Sequence, residues 1–143
     1  MDTREKILRL DRALELLAEL AADGKRVAVA MGWFDVLRSS HTEALAGALG
    51  GALSAERPSA DVLAVAVFAD GGDDGSGGGR TLLDESSRAQ LAAALAVVDY
   101  VVICERSEVE GLRSAAGSPV VVDAEALAPG NVVDDVLRRH GKL

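Results

Sequence analysis

Few residues of this chain have the types and spacing that chemistry asks for. The densest stretch is Met31 to Ser40 with His41 behind it, where Asp35, Arg38 and the imidazole fall within seven residues. Asp70, Asp73 and Asp74 stand among glycines and could ligate calcium. One short stretch, however, lacks the repeated motif that such sites need. The chain has 2 histidines, and the second, His140, stands near its end. Cys104 is the sole cysteine and lies in an apolar run, which leaves no disulfide framework and no Cys-rich zinc site within one chain. Its expected role is that of a small buried hydrophobe. Nothing resembles a Ser-His-Asp or Cys-His arrangement.

The elements that must position these groups can be read from periodicity. Ile7, Leu10, Leu14, Leu17 and Ala21 recur at helical spacing, widened by Leu8, Leu16 and Leu20, so residues 4–22 are expected to be one helix. Thr3 suits its start and Gly24 its end. Val27–Ala30 reads as a buried strand, followed by the Met31–Ser40 loop and a helix over about 41–49. Val62–Phe68 is apolar on both faces, as in a parallel sheet covered on both sides. Residues 70–80 read as a mobile Gly/Asp loop. An Ala-rich helix is expected over about 85–97, a strand at Tyr100–Cys104 and a short helix opened by a Ser107–Glu110 capping box and closed by Gly117. A short strand at Val120–Val122 and a helix over about 132–140 complete the series.

Alternating helices and strands predict an α/β, Rossmann-like fold. It would be a three-layer, doubly wound parallel sheet of four to five strands in a single domain over 1–143. Ligands of such folds sit beyond the carboxyl ends of the strands. That edge here carries the Met31–Ser40 loop, the Gly/Asp loop and the residues after Cys104.

Composition narrows the function further. The net charge of -8 argues against a nucleic-acid partner, whose phosphates need clustered Lys and Arg. Aromatic residues make up only 3%, which leaves few platforms for stacking bases. No stretch reaches the roughly 18 apolar residues of a membrane span. The charged N-terminus lacks a signal-peptide core, so a cytoplasmic location is expected.

The residues from Gly32 to His41, GWFDVLRSSH, resemble the G-x-F-D-x-L-H-x-G-H motif of cytidylyltransferase-like nucleotidyltransferases. The preceding stretch, LAELAADGKRVAVAMGWFD, resembles the start of the nucleotidyltransferase domain of ADP-heptose synthases. Glycerol-3-phosphate cytidylyltransferases belong to the same group. Gly79-Arg80, Arg88-Ala89 with Leu91 and Leu95, and Val98-Asp99-Tyr100-Val101-Val102 are similar to that family's next motifs. Pro129-Gly130 before a helix is similar to its last. The likeness covers nearly the whole chain, with a deletion after Cys104.

This resemblance implies an enzyme that joins CTP or ATP to a sugar- or polyol-phosphate and releases pyrophosphate, with Mg2+ bridging the triphosphate. Catalysis in the family is positioning plus stabilisation of negative charge. Carried over residue by residue, His41 and Arg38 take the catalytic places. Gly32, Trp33, Phe34, Asp35, Ser40, Arg80, Arg88 and Asn131 take the nucleotide- and phosphate-binding places, and no resident metal site is implied. Family members often dimerise, and the wide apolar stripe of the first helix adds to the expectation of a homodimer or a partner-enzyme complex.

The chain also departs from the motif. Arg38 replaces the first histidine, Ser40 the motif glycine, and Trp33 a small residue. The loop lysine before Gly79 is absent. The Ser/Thr-rich closing turn has become Asn131-Val132-Val133-Asp134-Asp135. Each change has a plainer structural reading. Ser40-His41-Thr42-Glu43 forms a capping box, and Asn131 with its two aspartates caps the last helix. His41 is either a phosphate contact or a packing residue. Asp35 is a turn former or a substrate contact, and Arg80 and Arg88 face a ligand or make surface salt bridges. The expectation is a divergent, catalytically impaired member with residual nucleotide or phosphate-metabolite binding.

Overall fold

Side chains alternate across each strand, and apolar residues occupy both faces, so the sheet needs cover on two sides. The computed structural model describes residues 2–49, 60–71, 81–118 and 121–125. Its elements are β1 (Ile7–Leu8), α1 (Leu10–Ala22), β2 (Val27–Gly32), α2 (Ser39–Ala48) and β3 (Val62–Phe68). They continue with α3 (Glu85–Ala93), β4 (Tyr100–Cys104), α4 (Val109–Ala116) and β5 (Val121–Asp123). The strands form one sheet in the order β1-β4-β3-β2-β5, with every pairing parallel.

On one face Leu63, Val65, Val67 and Val101 pack under α2 and α3, together with Leu45, Ala89, Ala92 and Ala93. On the other, Val27, Val29, Phe68 and Val102 pack under α1 and α4, with Leu17, Leu112 and Ala116. Three layers and a Rossmann-like, doubly wound parallel sheet are therefore present, with five strands among the described residues. Ala89, Ala92 and Ala93 of α3 are completely buried, which lets that helix lie close on the strands.

The N-terminal stretch corrects the expectation of one helix over 4–22. Thr3–Lys6 is a 3-10 turn capped by the Asp2 carboxylate, and Ile7–Leu8 is a strand. Helix α1 starts only at Leu10, after Arg9 in an extended conformation. The reason is tertiary. Ile7 and Leu8 pair with Val101 and Val102 and cover the otherwise open edge of β4. Each partly buries its side chain, one on each face, so the helical stripe is exchanged for strand packing. Lys6 anchors the turn by donating to the carbonyls of Leu95 and Val98 at 3.2 and 2.7 Å.

Two other expectations need correction. The turn before α4 is capped from Glu105, whose amide donates to the Glu108 carboxylate at 2.8 Å, so the capping box begins at Glu105 rather than Ser107. The Ala-rich helix ends at Ala93, short of Val97. Gly24 and Gly117 do close α1 and α4, with φ of 81° and 66°, where a side chain would be strained. Most of the apolar width of α1 is absorbed against the core it shares with α4, where Leu10, Leu14 and Leu20 are partly buried. The expected Gly/Asp loop beyond Gly71, Arg80, Pro129-Gly130, Asn131 and the helix over 132–140 lie outside the described residues.

Candidate functional site

Strand β2 lies second from one edge of the sheet, between β3 and β5. β3 and β4 follow on one side of it, while β5 returns on the other. The carboxyl ends of β2 and β5 therefore flank the point where the winding reverses, which is where open α/β sheets bind ligands. The backbone past β2 turns sharply here. Phe34 has φ 53°, the one positive value among the described non-glycine residues. This turn leaves the amides of Trp33 and Phe34 aimed at the same point.

A carboxylate fills that point. Glu125 Oε1 accepts from Trp33 N at 3.0 Å and from Phe34 N at 3.1 Å. Its Oε2 lies 2.9 Å from His41 Nε2 and 4.0 Å from Arg38 Nη2. Glu125 reaches the site because Ala124 N bonds Met31 O at 2.8 Å, extending the β2–β5 pairing, and because its own amide bonds Asp123 Oδ1 at 2.9 Å. Gly32 leaves room beneath it. A Cβ there would lie 2.9 Å from Glu125 Oε1 and 3.0 Å from the Phe34 ring.

His41 is 1% exposed and tilts against the Phe34 ring with centroids 5.4 Å apart. Its Nδ1 accepts from the amide of Arg38, the N-cap of α2, at 3.1 Å. With Nδ1 an acceptor, the proton sits on Nε2, which donates to Glu125. Both ring nitrogens are thereby engaged. The helix start is capped by His41 and not by the expected Ser40–Glu43 box, because α2 begins at Ser39 and Ser40 falls inside its first turn.

The other site residues are held as follows. Asp35 accepts from the amides of Leu82 and Leu83, both at 2.8 Å, and so ties the post-β2 turn to the approach to α3. Arg88 is fully buried, which removes the surface-salt-bridge reading. It donates to the carbonyls of Leu83, Trp33 and Phe68 at 3.1, 2.9 and 2.7 Å and to Asp70 Oδ1 at 2.6 Å. Trp33 stands edge-on to Phe68, centroids 5.1 Å apart, with the Arg88 guanidinium 5.6 Å from its ring. Gly32, Trp33, Phe34, Arg38 and His41 thus converge. Asp35 and Arg88 support them from behind, Ser40 is beside them, and Arg80 and Asn131 are outside the described residues.

Glu125 was missed at the sequence level. Its only signal was its place just past the last strand, and that strand's position beside β2 cannot be read from the chain. Burial pushes the Glu125 carboxyl up, but hydrogen bonds from His41 and from the Phe34 and Trp33 amides hold it below the ordinary glutamate value. Burial, helped by Glu108 and Glu105, raises the Cys104 thiol to about 12, so that sulfur is inert. Among the described residues no group of three or more His, Cys, Asp or Glu is placed to hold a metal ion, and no helix is long and apolar enough to cross a membrane.

A lowered folded-state value means that Glu125 adds stability above the unfolded glutamate value of about 4.3, and that this is lost as pH falls through the folded value. Chemical denaturation at a series of pH values should show the native chain losing more stability below about pH 4.3 than Glu125→Gln does. Parallel acid limbs for the two proteins would refute the pairing.

An all-parallel sheet of this order, with an amide-lined turn at its winding reversal, defines a Rossmann-like α/β domain. A lipopolysaccharide core biosynthesis protein from Thermoplasma volcanium shares the fold, with TM-score 0.53 and 23% identity over 68% of this chain and 73% of that one. No family model matches the sequence. The chain is homologous over 98% of its length to the bifunctional protein HldE, at 30% identity in Geobacter metallireducens and 29% in Trichlorobacter lovleyi. The chain is thus nucleotidyltransferase-like in fold. It spans about a quarter of those relatives, 27% of each.

Proposed function

We propose that this protein is a divergent nucleotidyltransferase-fold protein, impaired in catalysis, that retains binding of a nucleotide or phosphate metabolite and acts in regulation or assembly, with a second copy or a partner enzyme. One observation carries the reading. The groups a triphosphate would need at this turn are already engaged internally: the Trp33 and Phe34 amides by Glu125, and His41 by Glu125 and the Arg38 amide. An imidazole whose two nitrogens are both occupied cannot supply a mobile proton or an added positive charge to a developing oxyanion without first breaking these bonds.

The second reading is an active enzyme passing a nucleoside monophosphate from CTP or ATP to a sugar- or polyol-phosphate. It draws on Arg38, whose guanidinium lies 4.0 Å from the same carboxylate and could meet a phosphate in the lost histidine's stead. Magnesium would arrive with the triphosphate. The carboxylates here offer it little of their own, since Asp35 is bound to two amides and Glu125 to two amides and His41.

Pyrophosphate release decides between these readings. With each nucleoside triphosphate, magnesium and a panel of sugar and polyol phosphates, the expected rate equals the protein-free blank. Turnover that His41→Ala abolishes would establish the second reading instead.

A further inference from the structure

We propose that Glu125 is a tethered occupant of an oxyanion seat, and that a phosphoryl or pyrophosphoryl group binds there only when this carboxylate leaves. The proposal rests on the phosphate-binding reading above and adds the device that controls it.

The seat is more than a helix start. Two consecutive amides at the end of β2 converge on one oxygen, a buried imidazole N–H meets a second, and a guanidinium stands 4.0 Å away. Paired donors of this kind suit a tetrahedral oxyanion as well as a planar carboxylate. The seat already holds an anion, and that anion is part of the chain. Gly32 keeps the floor clear, since a Cβ would stand 2.9 Å from the bound oxygen. Glu125 is also far more open than the imidazole it meets, with its side chain 26% exposed against 2% for His41, so the carboxylate has room to leave while the ring stays held.

A tethered competitor lowers apparent affinity by the fraction of time the seat is empty. A carboxylate seated nine-tenths of the time or more would weaken an outside anion about tenfold or more. It would also repel any phosphate bound beside it.

The test uses inorganic pyrophosphate, without metal, in calorimetric titrations of the full chain. Glu125→Ala should bind it at least about tenfold more tightly than the native protein. Glu125→Gln should fall between, because its amide oxygen still meets the two backbone N–H groups but carries no charge. The double variant Glu125→Ala/His41→Ala should lose the gain. Equal affinity in native protein and a folded Glu125→Ala overturns the proposal, as does a gain that survives loss of His41. Should Glu125→Ala fail to fold, Glu125→Gln decides by the same comparison. Pyrophosphate release by the native protein would remove the impaired-enzyme reading and leave this comparison intact, so the two can fail separately.

Discussion

Replacing Arg88 with methionine should destabilise the fold by about 3–5 kcal/mol, the range for removing one member of a buried ionic cluster. Swapping a buried ion pair for apolar residues can be neutral when both partners are replaced. That escape is closed here, because three of the four acceptors are backbone carbonyls, those of Leu83, Trp33 and Phe68. They cannot be mutated away, and Arg88 itself is 0% exposed. Each would lose its partner at a cost of about 1–3 kcal/mol. Lysine should not rescue, since one ammonium cannot reproduce the guanidinium's spread of donors. Asp70→Asn should cost far less, about 1 kcal/mol or under, because its side chain is 40% exposed. Urea unfolding checks the series, with slopes near 1–3 kcal/mol/M turning the Arg88 loss into a midpoint drop of about 1 M or more. An Arg88→Met protein within about 1 kcal/mol of native would mean that the cluster is not coupled to folding.

Phe34→Ala should cost about 3–5 kcal/mol, as expected for emptying a fully buried aromatic position. The ring is 0% exposed and sits between His41 and the core under α2 and α3. A second effect runs the other way. At φ 53° any side chain pays a steric cost of about 1–2 kcal/mol that glycine avoids. Glycine elsewhere loses about 0.5–1 kcal/mol to alanine through chain entropy. The steric relief is at least as large as the entropic loss, so Phe34→Gly should be no less stable than Phe34→Ala. A glycine variant weaker than the alanine one by about 0.5–1 kcal/mol would show that the turn holds no strain there.

Arg88 and Phe34 mark the limit of what the chain announces about itself. Val62–Phe68 and Tyr100–Cys104 were read at their observed bounds, because an apolar run between turn formers admits little else. The Rossmann-like α/β class and the kinship of GWFDVLRSSH were equally legible, since local periodicity and motif order survive without coordinates. Ile7 and Leu8 were misread as helix because their spacing fits both periods, and only the exposed edge of β4 chooses the strand. Arg88 reads from the sequence as a ligand contact or a surface salt bridge, because nothing in its neighbours tells that three carbonyls from three separate segments converge on it. Glu125 was invisible for the same reason. It stands 92 residues from Trp33 and 84 from His41, and it meets them only because β5 lies beside β2. Hydrophobic pattern is local and can be read along the chain. The meeting of a carboxylate with two amides and an imidazole depends on strand order, which long-range packing decides.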